Sequence, residues 1–160
     1  MIEELINSQV LILGCGNTLF GDDGFGPEVI QALEQGADLP QGVTAFDVGT
    51  SMSDLLFDLA LAPDKPKVII LVDAVSLPNF SPGQLVWLPL TQIPQCKKAD
   101  FSMHQFPSID LLQELALQAG VDVRVLVVQA GCIPDRVQPG LTTEVRTAVP
   151  AACRMIRSVV

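Results

Sequence analysis

Apolar residues follow two rhythms along this chain. Short, mostly apolar stretches occur at Val10-Leu11-Ile12-Leu13, at residues 43–48, at Val68-Ile69-Ile70-Leu71-Val72 and at residues 123–128. Stretches of this length and composition predict strands covered on both faces, as in a parallel sheet. Between them, apolar residues recur every three or four positions. Phe25, Val29, Ile30 and Leu33 form one such set; Met52, Leu55, Leu56 and Leu59 a second; Ile109, Leu112, Leu115 and Ala116 a third. That spacing puts each set on one face of a helix. A last helix is expected from near Thr142 toward Val159, with Pro150 either kinking or splitting it.

Punctuation residues agree with these elements. Gly36, Pro63 and Gly120 lie at or beyond helix ends, while Thr50 or Ser51, and Ser108, are placed to cap helix starts. Residues 84–88 read as a further strand, but only a turn-rich link at 78–83 separates it from the strand ending at Asp73. A parallel neighbour needs a crossover of about a dozen residues, so this strand is expected to run antiparallel or at an edge. Residues 89–107 are irregular and hold Lys97, Lys98 and Ser102-Met103-His104-Gln105. The order β-α-β-α-β-β-loop-α-β-α predicts a three-layer α/β/α sandwich. Its five-stranded twisted sheet is mostly parallel with one antiparallel strand, in a single domain over residues 1–160.

Composition narrows the function. With 160 residues and 49% hydrophobic content, one sizeable core is expected. A formal charge of −9 repels nucleic acid and anionic membranes. The acidic start MIEELINSQ lacks the build of a signal peptide, and no apolar run nears the roughly 20 residues that span a bilayer. A cytoplasmic protein is expected, with Cys15, Cys96, Cys132 and Cys153 as buried free thiols. No large apolar stripe calls for a partner, so a monomer is expected.

The chemistry concentrates after the first strand, where Gly14, Gly16 and Asn17 turn the chain toward Asp22, Asp23 and a helix start marked by Gly24, Gly26 and Pro27. Gly24 and Gly26 are expected to leave the space over that helix start nearly free of side chains. Asp22 or Asp23 would serve as the helix N-cap, and the spare carboxylate would face a crevice at the carboxyl end of the strand. A dinucleotide site fails, since Leu19 stands where G-x-G-x-x-G needs its third glycine and two carboxylates would repel a pyrophosphate.

Asp73 ends the third apolar run, and His104 is the single histidine. If the first and third strands are neighbours, Asp23 and Asp73 share an edge, with the loop carrying His104 above them. One imidazole and two carboxylates suit a divalent metal with open positions. Each has a plainer alternative: a turn cap for Asp73, a packed or surface position for His104. Asp47 ends the second strand and is a fourth acid or a group that orients the others. A serine triad has no G-x-S-x-G elbow, and Cys15, between two glycines, reads as buried.

GCGNTLFGDDGFGPEV resembles the G-x-G-N-x-L-x-x-D-[D/E]-G-x-G signature of the nickel–iron hydrogenase maturation endopeptidases. The similarity continues in order through Asp47-Val48-Gly49-Thr50, Leu71-Val72-Asp73-Ala74, Ser102-Met103-His104-Gln105 and Gly140-Leu141-Thr142. The resemblance implies an α/β/α sandwich with one antiparallel strand. It implies an endopeptidase that removes the C-terminal tail of the hydrogenase large-subunit precursor after nickel insertion. It also implies that Asp23, Asp73 and His104 engage nickel already held by the precursor, and that Asp47 is a further functional acid. Pro107 after the histidine box, and a short C-terminus, point to a subgroup, the deazaflavin-reducing hydrogenase branch of methanogens.

For the chemistry, nickel would polarise the scissile carbonyl or activate a water, with Asp23 or Asp47 as general base. Two other classes compete. A non-catalytic checkpoint would dock on the precursor's nickel site without cutting. A small-ligand α/β domain with structural aspartates would show no nickel dependence.

Overall fold

The computed structural model describes residues 2–92 and 108–160. The chain opens with α1 (Ile2–Asn7), β1 (Val10–Cys15), a 3-10 turn (Gly21–Gly24) and α2 (Phe25–Gln35). It continues through β2 (Val43–Gly49), α3 (Met52–Leu61), β3 (Val68–Val75), β4 (Leu85–Leu88) and a 3-10 turn (Leu90–Gln92). It closes with α4 (Ser108–Leu117), β5 (Asp122–Gln129) and α5 (Thr143–Arg157).

The five strands form one sheet in the order β2-β1-β3-β5-β4. β1 pairs in parallel with both β2 and β3, and β3 pairs in parallel with β5. β4 runs antiparallel to β5, with Leu85 opposite Val128 and Leu88 opposite Val125. The short link before β4 leaves no room for a crossover helix, so its direction follows from chain length.

Alternation along the strands divides the core in two. Leu11, Leu13, Ile69, Leu71, Val125 and Val127 face one layer, with Leu5 of α1, Leu56 and Leu59 of α3 and Leu115 of α4. Ile12, Ile70, Val72, Leu126 and Val128 face the other, against Phe25, Ile30 and Leu33 of α2 and Val145, Ala152 and Ile156 of α5. Strands buried on both sides have no polar face to show, which is why their sequence reads as near-continuous apolar runs. The sandwich is thus the one expected.

Several local expectations change. α1 was not anticipated; six residues are too few for a helical period to register, although Leu5 is buried. β3 does not stop at Asp73 but runs two residues further, to Val75. Ser51 occupies the N-cap position of α3 yet its side chain makes no cap hydrogen bond; Ser108 is the first residue of α4, and the residue before it lies outside the described residues. Pro150 does not split α5, which is continuous from Thr143 to Arg157. Arg146 and Pro150 are both exposed, so the carbonyl that loses its donor lies on the watered side of the helix. Of the cysteines, Cys15 is buried as expected, but Cys132 is exposed and Cys153 half-buried. Cys96 lies outside the described residues. Among the described residues, no helix is long and apolar enough to cross a membrane.

Candidate active site

β1 ends in a turn made possible by missing side chains. Gly16 takes φ +130, and a Cβ there would run into the carbonyl of Asp23. A Cβ on Gly14 would lie 2.5 Å from Ile30 Cγ1, and one on Gly26 would press on the backbone of Cys15 and the Val72 carbonyl. These contacts bring the start of α2 directly onto β1 and β3. Gly26 therefore does not hold space open, as the sequence suggested; it lets two backbones touch.

The two adjacent aspartates part company inside the first 3-10 turn. Neither caps α2, whose N-cap position is taken by Gly24 without a side-chain bond. Asp22 is fully buried and turns toward the segment between β5 and α5. Its Oδ2 accepts from the backbone N–H of Gly131 at 2.7 Å and of Cys132 at 2.9 Å, and its Oδ1 from that of Thr142 at 2.7 Å. The Thr142 hydroxyl lies 3.1 Å from Oδ1 and 2.9 Å from Oδ2. Asp23 turns toward β1, where its Oδ2 accepts from the Asn17 N–H at 2.9 Å. It is only 4% exposed.

Among the described residues, Asp73 is the other buried carboxylate at this end of the sheet, 6% exposed, with Oδ1 accepting from the Ala74 N–H at 2.8 Å. Val72 pairs with Gly14, so Asp73 stands level with Cys15, two residues short of Asn17. Adjacent strands lie about 4.8 Å apart. Asp23 and Asp73 thus share the carboxyl edge of β1 and β3, as the sequence anticipated. From β1 the chain moves to β2 on one side and later returns to β3 on the other. That reversal is where open α/β sheets form their ligand crevices.

Asp47 is placed differently. Phe46 and Val48 pack with the α3/α4 layer and Ala45 with the α2/α5 layer, so Asp47 projects toward α2. It is exposed on the edge strand and lines a groove of about 300 Å³ with Thr18, Pro27, Glu28, Gln31 and Glu34. Its Oδ1 accepts from the Gly49 N–H at 2.9 Å, and the Gly49 carbonyl accepts from Gly16 N–H at 3.0 Å. Asp47 is in this way fastened to the turn that carries Asp23. Glu28, Gln31 and Glu34, spaced by three on one helix face, are the sequence signal for this groove.

His104 lies outside the described residues, as do Lys97 and Lys98. Among the described residues, no three His, Cys, Asp or Glu side chains are grouped to hold a metal ion. Two carboxylates alone would satisfy a divalent ion only in part. The role of Asp22 escaped the sequence reading because its partners lie 109 to 120 positions away.

Residues 27–159 match the sequence profile of a family described as hydrogenase maturation protease. The chain is 38% identical to a putative hydrogenase maturation protease of Methanocaldococcus jannaschii, over 92% of this chain and 94% of that protein. It is 39% identical to the coenzyme F420 hydrogenase subunit delta of Methanothermobacter thermautotrophicus, over 94% and 93%. Among solved structures it is similar to the hydrogenase maturating endopeptidase HybD of Escherichia coli, with a TM-score of 0.71. Identity there is 30%, over 92% of this chain and 89% of that one. The chain belongs to the hydrogenase maturation protease family, and it is a peptidase by that membership.

Proposed function

We propose that this endopeptidase removes the C-terminal tail of a nickel–iron hydrogenase large-subunit precursor, and that it acts on the nickel-loaded form. The observation that carries the reading is the pair of buried carboxylates, Asp23 and Asp73, both at the carboxyl edge of β1 and β3 where the sheet reverses. Two carboxylates with His104 leave coordination positions open for groups from the precursor. Nickel then belongs to the substrate, and it would supply Lewis-acid polarisation of the scissile carbonyl.

The chain's own residues have separable tasks in this reading. Asp23 and Asp73 recognise the loaded metal and hold the cleavage segment in register. Asp47, exposed on the edge strand and free of that task, takes the proton from the attacking water and returns it to the leaving amine as the C–N bond breaks. The relative from Methanothermobacter thermautotrophicus is named as a subunit of a coenzyme F420 hydrogenase. F420 is a deazaflavin, and this supports a substrate from the deazaflavin-reducing branch.

The test is the intact mass of nickel-loaded precursor before and after incubation with the protein. A discrete loss of the tail is expected, absent with nickel-free precursor and with His104→Ala. Stable complex formation without a mass change would replace the protease reading with a binding checkpoint.

A further inference from the structure

Among the described residues, Asp22 buries a full carboxylate that the proposed chemistry does not use. Its donors are three backbone N–H groups and one hydroxyl, all neutral. A buried charge is tolerated only when hydrogen bonds replace its water, and a carboxylate offers about four acceptor sites. Here they are taken by two separate pieces of chain: the exit of β5 at Gly131 and Cys132, and Thr142 at the start of α5. The positive end of that helix adds to the attraction.

The backbone repeats the join. Asp22 N–H donates to the Cys132 carbonyl at 3.0 Å and Gly21 N–H to the Gln138 carbonyl at 2.9 Å, while Gln138 N–H returns to the Leu19 carbonyl at 2.8 Å. The turn thus hangs between two anchors. On one side Asp22 grips the 131–142 segment; on the other, one residue later, Asp23 accepts from Asn17.

We infer that Asp22 is the positioning residue for Asp23: by clamping the 3-10 turn to Gly131, Cys132 and Thr142, it sets where the Asp23 carboxylate stands at the carboxyl edge of β1 and β3. The inference rests on the reading of Asp23 as a group that meets the substrate's metal. Asparagine at position 22 is no substitute, because its NH2 would face N–H donors that now meet oxygen. Release of the clamp lets the turn drift, and misplacement by about 1 Å costs on the order of 100-fold in rate.

The experiment uses Asp22→Asn, the gentler Thr142→Val, and Ile156→Ala as a destabilised control at the far end of α5, about 20 Å away along the helix. Processing kinetics on nickel-loaded precursor are expected to show kcat down about 100-fold in Asp22→Asn and about tenfold in Thr142→Val, with KM nearly unchanged and the control unaffected. The Asn17 amide supplies a readout free of the substrate. Its NMR shift and hydrogen-exchange protection are expected to change in the two clamp variants and not in Ile156→Ala. Clamp variants with the control's kcat, or with an unaltered Asn17 amide, would overturn the inference. If wild-type protein cleaves nothing, the protease reading fails, and the Asn17 amide alone decides the positioning role.

Discussion

Asp47 and Asp73 leave the sheet on opposite faces. Asp73 shares its side of β3 with Leu71 and Val75, which pack on the α3/α4 layer, whereas Asp47 looks toward α2 from the edge strand. β1 lies between their strands. In the proposed reaction the two acids serve different parts, and their substitutions should fail differently.

Asp23→Asn and Asp73→Asn are each expected to abolish processing of nickel-loaded precursor, and the double variant to be no worse than either, as for groups that act as a unit. Asp47→Asn should slow cleavage by about 10²–10⁴-fold while leaving the preference for loaded over nickel-free precursor intact. Initial rates on both precursors measure this. A loss of that preference in Asp47→Asn would show that the roles are not divided.

Gly26→Ala tests the backbone contact under the site. Its new methyl would press on Cys15 and on the Val72 carbonyl, and backbone yields less than a flexible side chain. The expected loss is about 3 kcal/mol of folding stability, read from the denaturation midpoint at unchanged slope. A loss below about 0.5 kcal/mol, the usual range for an unconstrained surface site, would show that the turn relaxes freely.

The thiols give an independent check on burial. Burial pushes the Cys153 thiol up, against the opposing pull of Arg157 and Arg154, so less of it is thiolate near neutral pH. In a Cys96→Ser background, iodoacetamide should label Cys132 first, Cys153 next and Cys15 last, as mapped by peptide mass spectrometry. Raising the pH toward the displaced pKa of Cys153 should accelerate its labelling. Early labelling of Cys15 would contradict its place in the core beneath the turn.

Much of this architecture is legible in the sequence because it depends on local periodicity. The runs at Val10 and Val68 announce buried strands, and the brevity of the link before Leu85 dictates the direction of β4. The stripe of Met52, Leu55, Leu56 and Leu59 is buried as its spacing requires. The edge shared by Asp23 and Asp73 follows from the pairing of β1 with β3 and was anticipated. Asp22 was opaque because nothing near it in sequence explains it. An Asp-Asp pair at a helix start reads as capping, yet its real partners are the amides of Gly131, Cys132 and Thr142. The facing of Asp47 was equally hidden, since β2 alternates between residues that are only partly covered and gives no clear period.

The clamp around Asp22 also sets when the site can exist. Asp23 and Asp73 have both been synthesised once residue 73 has been made, but the Asp22 bonds to Gly131 and Thr142 close loops of 109 and 120 residues. Contacts of such sequence separation form late, because the ordering of the intervening chain precedes any gain from them. On this reading, a nascent chain that has not yet delivered Thr142 from the ribosome would carry Asp23 and Asp73 without the geometry that the clamp imposes. An enzyme whose family takes its name from the maturation of another protein would thus begin its own working life only when the helix that follows Thr142 arrives.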